Sequence, residues 1–252
     1  MAAFLAAAVV LLTQLDTRRT FVEPGSLVRI ETDLIDDTFP KEWKPSPIFA
    51  SGKALDGSEV DRAVKAVRKA LSKYPEALLR RSLRRVVILR NMSFYGYPYG
   101  GTNSADTVYV ADDGIKLGYT DDFIEGAVHH EFSSILLRNN AALLDMTEWN
   151  KSLPPDFRYR GDGLSSLREG KASLVYDPES YKQGFLNQYA TSSLEEDLNV
   201  TAEALLTGRK QVWEGMAKET LLKAKAMAVV GFYGKLDKQF TLQWFESIKE
   251  PG

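Results

Sequence analysis

Apolar residues recur at helical spacing through Val60, Ala63, Val64, Val67, Ala70 and Leu71, with Lys65, Arg68, Lys69 and Lys73 on the opposite side. This pattern predicts an amphipathic helix that opens near Asp56-Gly57-Ser58. A second, shorter helix is expected after Pro75. The compact run from Arg85 to Arg90 is rich in β-branched residues and reads as a buried strand. Upstream, residues 20–23 and 26–32 alternate well enough for one or two strands around the turn Pro24-Gly25, and residues 33–55, with Pro40, Pro45 and Pro47, read as an irregular connection. Gly96 to Gly101 is a tyrosine- and glycine-rich turn, followed by a strand over Asp106–Ala111.

The pattern then changes character. A helix is expected after Thr120, whose hydroxyl can cap it, with Asp121 and Asp122 suited to the positive end of its dipole. Residues 151–190 read mostly as loop. Another helix opens at Ser192 or Ser193, each followed three residues on by a glutamate, as a capping box requires. From there to Glu250 the pattern is helical, with interruptions expected near Gly208, Gly231 and Gly234. The fold class is α+β: a small twisted mixed sheet packed on helices, followed by a mainly helical lobe. Residues 18–252 form one domain, an α/β lobe over 18–118 and a helical lobe over 119–252.

The chain has 252 residues, 44% hydrophobic and 26% charged, which describes a globular protein with enough length for a real core. A formal net charge of −2 gives no reason to seek nucleic acid or an anionic membrane. The basic stretch Lys65, Arg68, Lys69, Lys73, Arg80, Arg81, Arg84 and Arg85 is read as the solvated face of two helices. There is no cysteine, so disulfides, thiolate ligands and a cysteine nucleophile are excluded. The apolar run over residues 2–12 is short for a membrane span and suits the core of a signal peptide. No Lys or Arg precedes it, however, and no small-x-small cleavage site follows. Residues 1–17 are read as an export signal, implying a periplasmic or secreted protein without a stable span once it is removed; an N-terminal apolar helix is the alternative.

The only two histidines, His129 and His130, are adjacent and followed by Glu131. His130-Glu131-Phe132-Ser133 is the first half of the zinc-peptidase signature H-E-x-x-H, in which two histidines one helical turn apart grip an ion beside a glutamate base. Here the second histidine is replaced by Ser134, a poor zinc ligand. Phe123, Ala127, His130, Ser134 and Leu137 share one helical face, with Glu131 about 100° further round. His129 points elsewhere, since adjacent helical residues diverge. Gly96–Gly101 lacks the Gly-Lys-Ser/Thr ending of a phosphate loop, and no Gly-x-Ser-x-Gly elbow is present.

A second segment, Tyr189-Ala190 leading through Ser192-Ser193 to Glu195-Glu196-Asp197, resembles the downstream motif of a branch of the gluzincin peptidases. That branch includes anthrax lethal factor and a group of bacterial zinc-metallopeptidase-like proteins. The run His130-Glu131-Phe132 with Ile135-Leu136 looks like the same bacterial proteins, and Gly100-Gly101-Thr102 is similar to their approach to the edge strand above the cleft. The resemblance spans roughly residues 85–207. It implies a zincin-like fold with its cleft between the strand at 106–111 and the helix at 120–139. It also implies His130 and Glu196 as metal ligands, Glu131 as general base and Tyr189 as the donor to the developing oxyanion. The alternative ligand is Glu195, and an acidic residue from the 145–170 loop is the open candidate for a third. Val200 stands four residues after Glu196, where related sites carry a supporting carboxylate. The expectation is a zinc metallopeptidase homologue with an incomplete site, zinc weakly bound or absent, and activity absent or weak. Its partner would be a peptide or protein; a non-catalytic peptide-binding protein using the same cleft is the alternative.

Overall fold

The computed structural model describes residues 19–161 and 173–249. The N-terminal run read as an export signal lies outside them, as do residues 162–170 of the loop considered for a third ligand. The strands are β1 (Thr20–Val22), β2 (Arg29–Glu31), β3 (Ser51–Lys53), β4 (Arg85–Phe94), β5 (Tyr97–Pro98), β6 (Gly101–Asn103) and β7 (Thr107–Ala111). The helices are α1 (Gly57–Leu71), α2 (Glu76–Ser82), α3 (Asp121–Asn139), α4 (Met146–Lys151), α5 (Pro178–Lys182), α6 (Leu194–Leu206), α7 (Lys210–Lys218), α8 (Thr220–Leu236) and α9 (Leu242–Ser247).

The sheet is mixed, with the order β1-β2-β4-β7-β6, while β3 and β5 pair with β4. β2, β4 and β7 run parallel, and β6 closes the edge antiparallel to β7. The first five residues of β4 and all of β7 are buried, because both sheet faces are covered. Val86, Ile88, Val108 and Val110 face α1 and α3 in the main core. Val87, Leu89 and Tyr109 face a smaller cluster built on Phe39, Met92 and Phe94, with Trp43 and Ile48 packed against it. The proline-rich connection is therefore a lid over the second face, and it also contributes β3.

α3 joins the two lobes, packing on α1 on one side and on α6 on the other. Its start follows the sequence pattern: Thr120 Oγ1 accepts from Phe123 N at 3.2 Å. Ser193, not Ser192, caps α6 by accepting from Glu196 N at 3.1 Å. The helical lobe differs from expectation at two glycines. Gly231 and Gly234 lie inside α8, while the break at Gly208 is real, with φ of 74° between α6 and α7. No helix among the described residues is long and apolar enough to cross a membrane.

The basic stretch is only partly solvated, which corrects the sequence reading. Arg85 is buried, donating to Glu31 at 2.8 Å and to the carbonyls of Asp37 and Thr38. Lys73 reaches inward to Glu125 and to the carbonyl of Leu206, so these charges hold elements together.

Candidate active site

The cleft lies between the rim formed by residues 95–103, α3 and the start of α6, with a volume of about 860 Å³. The strand bordering it is β6, not the strand at 106–111; β7 sits one position further into the sheet. Gly101 lies close against Glu131: a Cβ there would come within 2.7 Å of Glu131 Oε1 and would displace that side chain.

The two motif segments, roughly sixty residues apart, meet in this cleft. His130, Glu131, Ser134, Tyr189, Glu195 and Glu196 all line it. His130 Nε2 is 3.0 Å from Glu196 Oε2, and its Nδ1 is 3.3 Å from Glu203 Oε2. Burial opposes a charged ring, but hydrogen bonds to Glu196 and Glu203 and the neighbouring negative charge outweigh it. The His130 pKa is thereby raised well above the ordinary value. As an imidazolium, the ring donates from both nitrogens to carboxylates.

Glu203 was not singled out from the sequence. It lies seven residues after Glu196, two turns along the same face of α6. That spacing was the available signal. Position 200 holds valine; the carboxylate that meets the histidine ring on this side is that of Glu203. Gly126 makes room for it, since a Cβ there would stand 2.8 Å from Glu203 Oε1.

Glu131 accepts from Asn103 Nδ2 at 2.7 Å, which ties it to the edge strand. Burial pushes its pKa up to about 7; His130 and Asn103 pull the other way, and the charges of Glu196 and Glu195 add to the rise. Tyr189 hydrogen-bonds Glu196, and its ring centroid is 6.3 Å from that of His130. Burial and the charge of Glu196 drive its hydroxyl far above the usual range, so it stays a neutral donor. Ser134 donates its hydroxyl to Glu195, which separates the two candidate glutamates: Glu195 faces the serine and Glu196 faces the histidine.

His129 belongs to the core. It is fully buried, its Nδ1 lies 2.9 Å from Tyr74 Oη, and burial lowers its pKa.

The donor set falls short of a zincin centre. Nε2 of His130 and Oε2 of Glu196 are close enough to share one ion, but the position one turn on from His130 holds a serine already engaged by a carboxylate. Among the described residues, no group of three or more His, Cys, Asp or Glu is arranged to hold a metal ion. Asp145 caps α4, and neither it, Glu148 nor Asp156 lines the cleft.

A mixed sheet with an antiparallel edge strand over a His-Glu helix, followed by a helical lobe carrying glutamates, makes an α+β fold. The comparison with solved structures agrees. The structure of a "putative zinc-binding metallo-peptidase" from Bacteroides caccae matches with a TM-score of 0.58, covering 89% of this chain and 85% of that one at 16% identity. No protein-family model matches the sequence. No curated protein matches it either.

Proposed function

We propose that this protein is a zinc metallopeptidase homologue whose active site has lost a ligand, leaving activity absent or weak and the cleft in use for binding peptide or protein. The observation that carries this reading is the Ser134–Glu195 hydrogen bond. It stands where the second histidine of H-E-x-x-H would complete a metal site. Glu131 remains in the position of the general base and Tyr189 in that of the oxyanion donor. His130 and Glu196 remain as the two potential ligands. With only two ligands, zinc affinity falls well below that of a three-ligand site. The alternative, a purely non-catalytic peptide binder, draws support from His130, whose two nitrogens are both held by carboxylates.

The test is metal analysis of protein purified without chelator and dialysed, alongside hydrolysis of a mixed peptide library. The expected result is zinc far below stoichiometric and hydrolysis at background. One tightly held zinc per chain, with hydrolysis lost in Glu131→Gln, would overturn the lost-ligand reading. Export is a proposal resting on the apolar run over residues 2–12 alone, checked by the N-terminal sequence of protein taken from its native host.

A further inference from the structure

We infer that an arginine-lined groove at the start of the parallel strands binds a phosphate-bearing anion. The groove shares no residue with the cleft, so the inference is independent of the peptide-binding reading. β2, β4 and β7 begin side by side, with Arg29 in register with Arg85 and Arg85 with Thr107. Arg29, Arg84 and Asp106 therefore meet at one end of the sheet, and the last turn of α2 brings Arg80 and Arg81 to the same place. The groove they line has a volume of about 470 Å³. Four guanidinium groups stand there against one carboxylate, in a chain whose net charge is −2. Glu76 lies against Gly25 nearby without lining the groove, and its charge leaves the local excess positive. Such an excess in a concave site concentrates anions.

The heads are anchored, and their anchors leave donors over. Arg80 donates to the carbonyl of Gly25, and Arg81 to that of Leu236 at 2.8 Å. Nε of Arg84 is 3.1 Å from Asp106 Oδ2, and Nε of Arg29 is 3.2 Å from Glu31 Oε1. Arg29 and Arg84 are thus held through Nε, and their terminal nitrogens have no partner among the described residues. These donors are reachable, since the two side chains are 42% and 56% exposed. The backbone marks the same spot. Leu27, on the groove wall, is held at φ of 64° with its side chain exposed, a strained conformation of the kind that gathers at ligand sites. The donor geometry selects the ligand. These guanidinium groups arrive from β2, from α2 and from the residue before β4, so they approach an anion from different directions. A planar carboxylate satisfies one fork, whereas a tetrahedral phosphate offers oxygens to several at once. Two linked phosphates also match the excess charge.

The experiment titrates the full chain calorimetrically at low salt with sodium pyrophosphate and, at matched ionic strength, with the tricarboxylate tricarballylate. Pyrophosphate should bind about tenfold tighter than tricarballylate, the size expected for added charge-assisted hydrogen bonds, and should weaken as salt rises. Arg80→Gln and Arg84→Gln should each weaken it about tenfold, whereas Lys210→Gln, on α7 outside the groove, should not. Circular dichroism confirms that all three variants fold. Sedimentation with phosphatidylcholine vesicles containing phosphatidylglycerol separates the two sources of phosphate: retention that is lost in Arg84→Gln assigns the groove to lipid headgroups, and pyrophosphate binding without retention assigns it to a soluble ligand. Binding that persists unchanged in the folded arginine variants would overturn the inference. Equal affinity for tricarballylate would reduce the groove to a basic surface and overturn it too, as would no binding of pyrophosphate and vesicles alike.

Discussion

Glu203 Oε2 lies 3.3 Å from Nδ1 of His130, on the side of the ring opposite Glu196. The imidazole is thereby fixed in orientation by one helix, α6, acting through two carboxylates two turns apart. A histidine held this way keeps its orientation whatever occupies the cleft, because both of its rotational alternatives would abandon a charge-assisted hydrogen bond.

Gly126 and Glu203 should be energetically coupled. In an otherwise unchanged chain, Gly126→Ala puts a methyl 2.8 Å from Glu203 Oε1 and pushes that carboxylate off His130. In a Glu203→Ala background the clash is gone, and the same change should stabilise by about 0.5–1 kcal/mol through helix propensity. Urea unfolding of the four proteins reads the cycle. An identical effect of Gly126→Ala in both backgrounds would show that the two side chains do not meet.

Ser134→His should restore a one-turn histidine pair and raise zinc affinity by at least about tenfold, since a strong ligand replaces a water. Ser134→Ala should not. Any hydrolysis gained by Ser134→His should disappear when Glu131→Gln is added. Zinc titration of the folded variants is the measurement, and an unchanged affinity in Ser134→His would mean that His130 and Glu196 do not form a latent metal site.

Glu131 gives the metal-free protein a pH dependence of defined sign. Its folded pKa, about 7, is above the usual glutamate value, so the folded state holds more protons than the unfolded state between about pH 4.5 and 7. This group's contribution is therefore fully present below about pH 4.5 and is lost as pH rises through 7. In chelator, Glu131→Gln should flatten that part of the stability profile and be the more stable protein at pH 8, by a margin on the order of 1 kcal/mol. Parallel profiles for the two proteins between pH 5 and 8 would contradict the assignment.

Lys225 and Asp197 form a buried ion pair in the helical lobe, both fully inaccessible, with Tyr159 also donating to Asp197 at 2.8 Å. The ammonium sits 4.8 Å from the Trp149 ring centre and 4.3 Å from that of Phe185. Lys225→Met alone strands a buried carboxylate and should cost roughly 3–5 kcal/mol. Adding Asp197→Leu should recover most of that loss. Thermal unfolding decides it: a double variant no better than Lys225→Met would show that the pair is not the origin of the cost.

The parts of this fold that were legible in the sequence are those where a period repeats often enough to be seen. α1 presents its apolar face over four turns, and Val86–Leu89 of β4 and Val108–Ala111 of β7 form continuous apolar runs because both sheet faces are covered. β3, β5 and β6 have two or three residues each and owe their place to neighbours, so no periodicity announces them. Arg85 and Lys73 read as surface charges because their counter-charges, Glu31 and Glu125, come from distant elements. In the site, the His130-Glu131 pair, the serine at position 134 and the Tyr189 segment were visible in the sequence. What Ser134 touches was not, nor was the role of Glu203, because each depends on the docking of α6 against α3.

The two adjacent histidines have a mechanical consequence. His129 is anchored to Tyr74, just beyond α1, and His130 to α6, so consecutive residues of one helix are riveted to opposite halves of the molecule. A hinge between the halves would have to shear one of these anchors. The cleft floor is therefore a fixed surface, and any accommodation of a bound chain falls to its rim, the tyrosine-bearing segment from Tyr95 to Tyr99, where Tyr95 and Tyr97 already stand exposed. On the proposed peptide-binding reading, capture should resemble a chain laid into a rigid tray, with fast association and little reordering of the two halves.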